Sequence, residues 1–241
     1  MKKTTQTENL QEHRMVFTIN GIYKIFIKVM YMIFAKGIAE SEVEKDEAFH
    51  LNTNGRHDKC SDNERAPYEP TLYSVLEDIT ESRIIASNDR IIDFGSGKGR
   101  ATIFLSATNN CEAIGIEFVE ELHFAAIDNA NNTCLQHKAS FINTLAEDYF
   151  VDKKDSCFYF ANPFSVSVLK KVLENIYFSL QMYPRKVKLL FHYMSKEYLD
   201  FLSTEQRLKH TITIDCRQHF CADTGKENVM VYEILPLEGI K

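Results

Sequence analysis

The sequence predicts an α/β protein built on a doubly wound, mostly parallel sheet, with an antiparallel hairpin near its C-terminus and a helical extension at its N-terminus. Three observations carry this reading. Short β-branched or aromatic runs alternate with helix-length stretches between residues 72 and 202, the order that lays parallel strands between two helical layers. At residues 90–100 a strand-like run passes through a glycine-rich turn directly into a helix. The last two segments, Thr211–Cys216 and Asn228–Leu235, are both β-rich and are separated by a polar turn around Gly225, which predicts an antiparallel pair.

Taken in order, Val16–Ala35 is rich in Phe, Tyr, Ile and Met and is as long as a membrane span. Asn20, Lys24 and Lys28 interrupt it every four residues, and each central lysine costs roughly 2.5–3.5 kcal/mol on insertion. That spacing draws a polar stripe along a helix, and no small-residue cleavage site follows as a secretory signal would require. Two readings stay open: a helix packed on the rest of the chain, and one lying on a membrane surface or a partner through residues 16–35. From Ala39 to Pro67 the chain turns polar, with Asn54-Gly55 and few large apolar residues, which predicts a linker or loop. The expected organisation is therefore an extension over 1–38, a linker over 39–67 and a single domain over 68–241.

Within that domain Leu72, Val75 and Ile79 share a face of a helix over Leu72–Ser82. Strand Arg90–Phe94, helix Arg100–Asn109, strand Ala113–Glu117 and helix Glu120–Asn132 follow. Strand Ser140–Ile142, strand Cys157–Ala161, helix Val166–Gln181, strand Lys186–Tyr193 and helix Lys196–Leu202 complete the alternation. A chain of 241 residues can bury a sizeable core, and its net charge of −6 argues against a broad electrostatic grip on nucleic acid. The six cysteines show neither C-x-x-C pairs nor zinc spacing, which predicts buried free thiols in a reducing, cytoplasmic setting. The eight histidines show no metal-binding spacing, so no metal is expected.

The most informative stretch is Ile91-Ile92-Asp93-Phe94-Gly95-Ser96-Gly97-Lys98-Gly99-Arg100. A phosphate-gripping P-loop needs a glycine where Ile92 stands and Ser or Thr where Gly99 stands, so that reading fails. A dinucleotide fingerprint would begin at Gly95 and Gly97 but meets Arg100 in place of its third glycine. The spacing that fits is Asp-x-Gly-x-Gly-x-Gly, with the acid at the strand end. An acid there repels a pyrophosphate but suits a cationic ligand. Twenty-odd residues on, Ala113-Ile114-Gly115-Ile116-Glu117 is an apolar run ending in a carboxylate that could take two ribose hydroxyls.

This spacing resembles motif I of the class I S-adenosylmethionine-dependent methyltransferases, and the predicted element order is similar to their seven-stranded, Rossmann-like sheet. The resemblance spans roughly residues 68–235. It implies S-adenosyl-L-methionine as cofactor, with Asp93, Gly95, Ser96, Gly97 and Gly99 around its methionine half and Glu117 on its ribose. On this reading a branched side chain at Gly97 would stand in the ligand's path. Tyr68, Glu69 and Thr71, just before the first helix, resemble a preceding loop that related enzymes bring against the cofactor. With the loop they look like a small bacterial group of unassigned substrate. Matching on Ala146 puts Leu145 where relatives carry an adenine-binding acid, which leaves Ala146 and Glu147 as adenine candidates.

Asn162-Pro163-Phe164, where the fourth strand should end, resembles the Asn-Pro-Pro-aromatic element of methyltransferases acting on planar amino groups; the second proline is absent. The resemblance implies that the Asn162 amide oxygen and the Pro163 carbonyl accept hydrogens from the acceptor nitrogen while the Phe164 ring stacks on the acceptor. The bland alternative is a strand stop at Pro163 with Asn162 capping the next helix, just as helix capping is the bland alternative for Thr71. Two rival functions stand beside methyl transfer: a non-catalytic cofactor- or partner-binding module, which Leu145 favours, and an NAD(P)-dependent oxidoreductase.

Overall fold

A computed structural model describes residues 30, 32, 35–57, 64–220 and 224–235. The chain divides into two compact units, residues 1–41 and 42–241. In the first, residues 35–41 are helical, with Lys36 and Glu40 paired at 3.5 Å one turn apart. The stretch read as an amphipathic helix over residues 16–35 lies outside the described residues except at its end.

The second unit opens with helical residues 42–49, labelled α1, and continues through α2 (Tyr73–Glu81), β1 (Arg90–Phe94), α3 (Arg100–Asn109), β2 (Glu112–Glu117), α4 (Glu120–Asn132) and β3 (Lys138–Asn143). A 3-10 turn at Ala146–Asp148 leads to β4 (Cys157–Phe160), α5 (Val166–Met182), β5 (Lys188–His192), α6 (Lys196–Thr204), β6 (Leu208–Ile214) and β7 (Val229–Ile234). The seven strands form one sheet in the order β3-β2-β1-β4-β5-β7-β6. The first five are parallel, and β7 runs antiparallel to both β5 and β6. The expected fold class is therefore the observed one, with the terminal hairpin at one edge. Strand order reverses between β1 and β4, the place where open α/β sheets leave a crevice beyond the strand ends.

The central strands read as unbroken apolar runs because both of their faces are covered. Alternate residues serve two cores. Ile92, Phe94, Phe158, Phe160, Leu189 and Phe191 meet the apolar faces of α5 and α6. Ile91, Tyr159 and Leu190 meet those of α2 and α3. In the first core, Phe160 stacks on Phe94 at 5.2 Å and on Phe191 at 4.8 Å, a ladder of rings across three strands.

Three expectations need correction. Residues 42–57 are no linker: they belong to the second unit, and Glu42, Asp46, Leu51 and Thr53 are buried. Neither proposed cap is used. Helix α5 is capped by Ser165, whose Oγ accepts from the Val168 N–H, and α2 by Glu42, whose two carboxylate oxygens lie 3.1 and 3.2 Å from the Tyr73 N–H. Of the described free cysteines, Cys111, Cys157 and Cys216 are buried but Cys134 is exposed. Among the described residues no helix is long and apolar enough to cross a membrane, and no group of three or more His, Cys, Asp or Glu is placed to hold a metal ion.

Candidate functional site

The crevice lies beyond the carboxyl ends of β1, β2 and β4. Its lining includes Asp93, Gly95, Ser96, Glu117, Ala146, Asn162, Pro163 and Phe164, together with Tyr68, Glu69 and Thr71 from the segment before α2. The parallel register sets the two acids side by side, because Asp93 pairs with Gly115 on β2, two residues before Glu117.

Asp93 is almost fully buried and accepts from Thr102 Oγ1 at 2.6 Å. Burial pushes its carboxyl up to about 7; the bond from Thr102 opposes the rise, and the Glu117 charge adds to it. Glu117 is also buried, and burial raises its pKa against the pull of its amide bonds. One oxygen takes the Gly97 N–H at 2.9 Å and the other takes the Val119 N–H at 2.8 Å. The strand-end acid thus holds the glycine loop to the start of α4. Between them the buried Ser96 hydroxyl has no hydrogen-bond partner among the described residues.

The glycines answer first to the protein's own packing. Gly97 has φ +53°, and a Cβ there would fall 2.1 Å from the Tyr68 ring; one on Gly99, at φ +87°, would fall 2.7 Å from the Phe141 ring. The expected obstruction of a ligand by a side chain at Gly97 is corrected accordingly: the Tyr68 ring occupies that space. Neither Gly97 nor Gly99 lines the crevice. Tyr68 is fixed on the loop by its hydroxyl, which donates to the Thr53 carbonyl at 2.5 Å, and by the Lys98 ammonium 5.6 Å from its ring centre. Thr71 shares a 3.0 Å hydrogen bond with the Tyr159 hydroxyl, and the exposed Glu69 pairs with Arg56 at 3.2 Å.

Arg100 is part of the crevice's framework that the sequence reading missed, having met it only as a misfit in a dinucleotide motif. It lines the crevice, is 2% exposed and lies 4.3 Å from the Tyr73 ring. All five of its N–H groups are matched. Nε reaches Thr53 Oγ1 at 2.6 Å; one terminal nitrogen reaches Glu42 and the Thr71 carbonyl, and the other reaches Asp46 and Asn54. This guanidinium ties Glu42, Asp46, Thr53, Asn54 and Thr71 to the first turn of α3. The only sequence signal was an arginine at a position where a helix starts against a sheet.

At the far end of the crevice Ala146 stands with Thr144, Phe118, Val119 and Leu122. Glu147 does not line it; one of its carboxylate oxygens binds Arg65 at 3.0 Å. Phe118 and Val119 directly follow the β2 acid, a position from which they could have been anticipated.

On the β4 side Asn162 adopts φ +51°, a left-handed conformation asparagine tolerates, and its side-chain amide has no hydrogen-bond partner among the described residues. The Pro163 carbonyl accepts the Ala66 N–H at 3.0 Å. Phe164 is 7% exposed and meets Phe94 and Phe160 edge-on, so its ring belongs to the core and is not free to stack on an acceptor. That part of the expected acceptor geometry is corrected.

No family model matches the sequence, and no curated protein does. Among solved structures, the chain is similar to an RNA methyltransferase from Salinibacter ruber in complex with S-adenosyl-L-homocysteine, at 20% identity over 72% of this chain and 97% of that one, with a TM-score of 0.50. It is also similar to the human methyltransferase 10 domain containing protein, at 16% identity over 83% and 97%, with a TM-score of 0.51. The chain has the class I methyltransferase fold. An uncharacterized protein from Listeria monocytogenes serotype 4b is a further likeness, at 17% identity over 71% and 70%, with a TM-score of 0.50.

Proposed function

We propose that the chain is an S-adenosylmethionine-dependent methyltransferase acting on an amino nitrogen. The observation that carries this is the pair of buried carboxylates, Asp93 and Glu117, lining a crevice beside a turn whose Ser96 hydroxyl is buried without a hydrogen-bond partner among the described residues. A pyrophosphate would face two acids there, whereas a ligand bearing an ammonium and two ribose hydroxyls matches both.

The residues present fit that cofactor. Asp93 holds the ammonium, Glu117 the ribose hydroxyls through lone pairs its amide bonds leave free, and Ser96 the carboxylate. Val119, Leu122, Phe118 and Ala146 offer apolar walls for adenine. When bound, the cofactor supplies an electrophilic methyl group on a positively charged sulfur. The chain's part is to orient and desolvate. The free amide oxygen of Asn162 takes one hydrogen of the acceptor amine and turns its lone pair inward, and the Pro163 carbonyl takes the other.

Titration calorimetry with S-adenosylhomocysteine and with NAD(P) tests the reading. Micromolar binding of the first is expected. Binding of only the second transfers the assignment to an oxidoreductase.

A further inference from the structure

We propose that His57 is a further cofactor-holding residue, its Nδ1 accepting a hydrogen from the nucleoside half of S-adenosylmethionine. The inference rests on the cofactor reading above. His57 lines the same crevice as Asp93 and Glu117. Two backbone bonds hold it there: its N–H reaches the Tyr68 carbonyl and its carbonyl takes the Tyr68 N–H, both at 3.1 Å. On the first turn of α4 the Glu121 carboxylate stands 3.4 Å from Nε2. His57 thus joins the cover of the glycine loop, through Tyr68, to the start of α4. Those are the two parts of the chain that the Glu117 carboxylate also ties together.

A neutral imidazole beside a carboxylate keeps its proton on the nitrogen nearer the acid. Nε2 therefore carries the hydrogen, and Nδ1 keeps a lone pair. Nδ1 is buried and has no hydrogen-bond partner among the described residues. A buried acceptor without a donor costs free energy, and a ligand that brings the donor recovers it. The nucleoside half of the cofactor carries such donors in its ribose hydroxyls and its adenine amino group. The crevice's carboxylates have other tasks: Asp93 and Glu117 as described above, and Glu69 paired with Arg56 at 3.2 Å. Glu147, beside Ala146, is engaged by Arg65. The imidazole is thus an acceptor lining this crevice that no group of the chain has claimed.

Titration calorimetry on the parent and His57→Phe tests this. The ligands are S-adenosylhomocysteine and analogues lacking, one at a time, the adenine amino group, the ribose 2′-hydroxyl and the ribose 3′-hydroxyl. His57→Phe keeps a flat ring without the acceptor. It should bind S-adenosylhomocysteine roughly three- to tenfold more weakly, the value of one net hydrogen bond. The analogue that lacks the matching donor should bind parent and variant alike, and it names the group His57 holds. Equal affinity of the two proteins for S-adenosylhomocysteine overturns the proposal. So does a penalty of the same size for every ligand, the pattern of a ring that only packs or holds a water. His57→Ala carries the same comparison if His57→Phe does not fold. If the parent does not bind S-adenosylhomocysteine, the functional reading falls and carries this one with it. Binding by the parent with no analogue restoring parity removes this one alone.

Discussion

The ring ladder of Phe94, Phe160 and Phe191 and the polar cluster around Arg100 are both nearly sealed from water, yet they are built from opposite materials. The ladder gains from burial and dispersion, which need no particular orientation, and it tolerates modest change of shape. The Arg100 cluster contributes little net stability once desolvation is counted, but it holds only while each of five donors has its acceptor. The first kind of region makes a fold. The second decides where a particular loop lies.

Each contrast can be broken by experiment. Phe160→Ala should have the largest effect, a loss of about 3–5 kcal/mol by denaturant unfolding that is the same at pH 5 and pH 8. Arg100→Met should cost a comparable or slightly smaller amount, about 3–5 kcal/mol at neutral pH, by leaving Glu42 and Asp46 buried without their cation. That loss should shrink in acid. Burial already raises the Glu42 pKa, so its folded form takes up a proton before its unfolded form does, and stability falls as pH rises through the raised value. Without Arg100 this dependence steepens. A pH-independent loss would show that the cluster acts by packing alone.

Gly97→Ala should cost about 2 kcal/mol or more, from a left-handed φ and a collision with Tyr68. Combining it with Tyr68→Ala should cost clearly less than the two single losses added together, which a double-mutant cycle measures; strict additivity would mean the ring is not the obstacle.

The smallest stability effect has the opposite sign. Asp93→Asn should gain about 1–2 kcal/mol at pH 8, because burial raises this carboxyl to about 7 and its charge destabilises the folded state above that value. The same variant should bind S-adenosylhomocysteine at least tenfold more weakly. In the parent, calorimetry should show affinity falling as pH drops from 8 to 6, when Asp93 takes up its proton. Unchanged affinity in Asp93→Asn would remove the acid from the proposed site.

Legibility followed the same division. Strands β1, β2 and β4 and helices α3 and α4 were read within a residue or two because continuous apolar runs and caps are local signals. Strand β6 was read starting three residues late and ending two residues late, since it is an edge strand with a register shift between His210 and Ile212 and an exposed, mixed face. Residues 42–57 were misread as a linker because what orders them is a set of polar contacts to Arg100 and Tyr73, and composition counts such residues as solvent-loving. Asp93, Glu117 and Asn162, which line the crevice, were picked out from strand-end position. Arg100, Arg65 and Ala66 were not, since nothing in their immediate surroundings distinguishes them.

The sequence by itself determined the alternation of elements, the sheet's parallel character and the two acids at neighbouring strand ends. Those follow from hydrophobic periodicity and turn chemistry, which act between residues close along the chain. Only the tertiary structure decided that Tyr68 rests on Gly97, that Arg100 gathers Glu42, Asp46, Thr53, Asn54 and Thr71, and that Ala66 sits on the Pro163 carbonyl. Each of these joins groups dozens of residues apart, through bonds whose strength depends on distance and direction once water has been excluded.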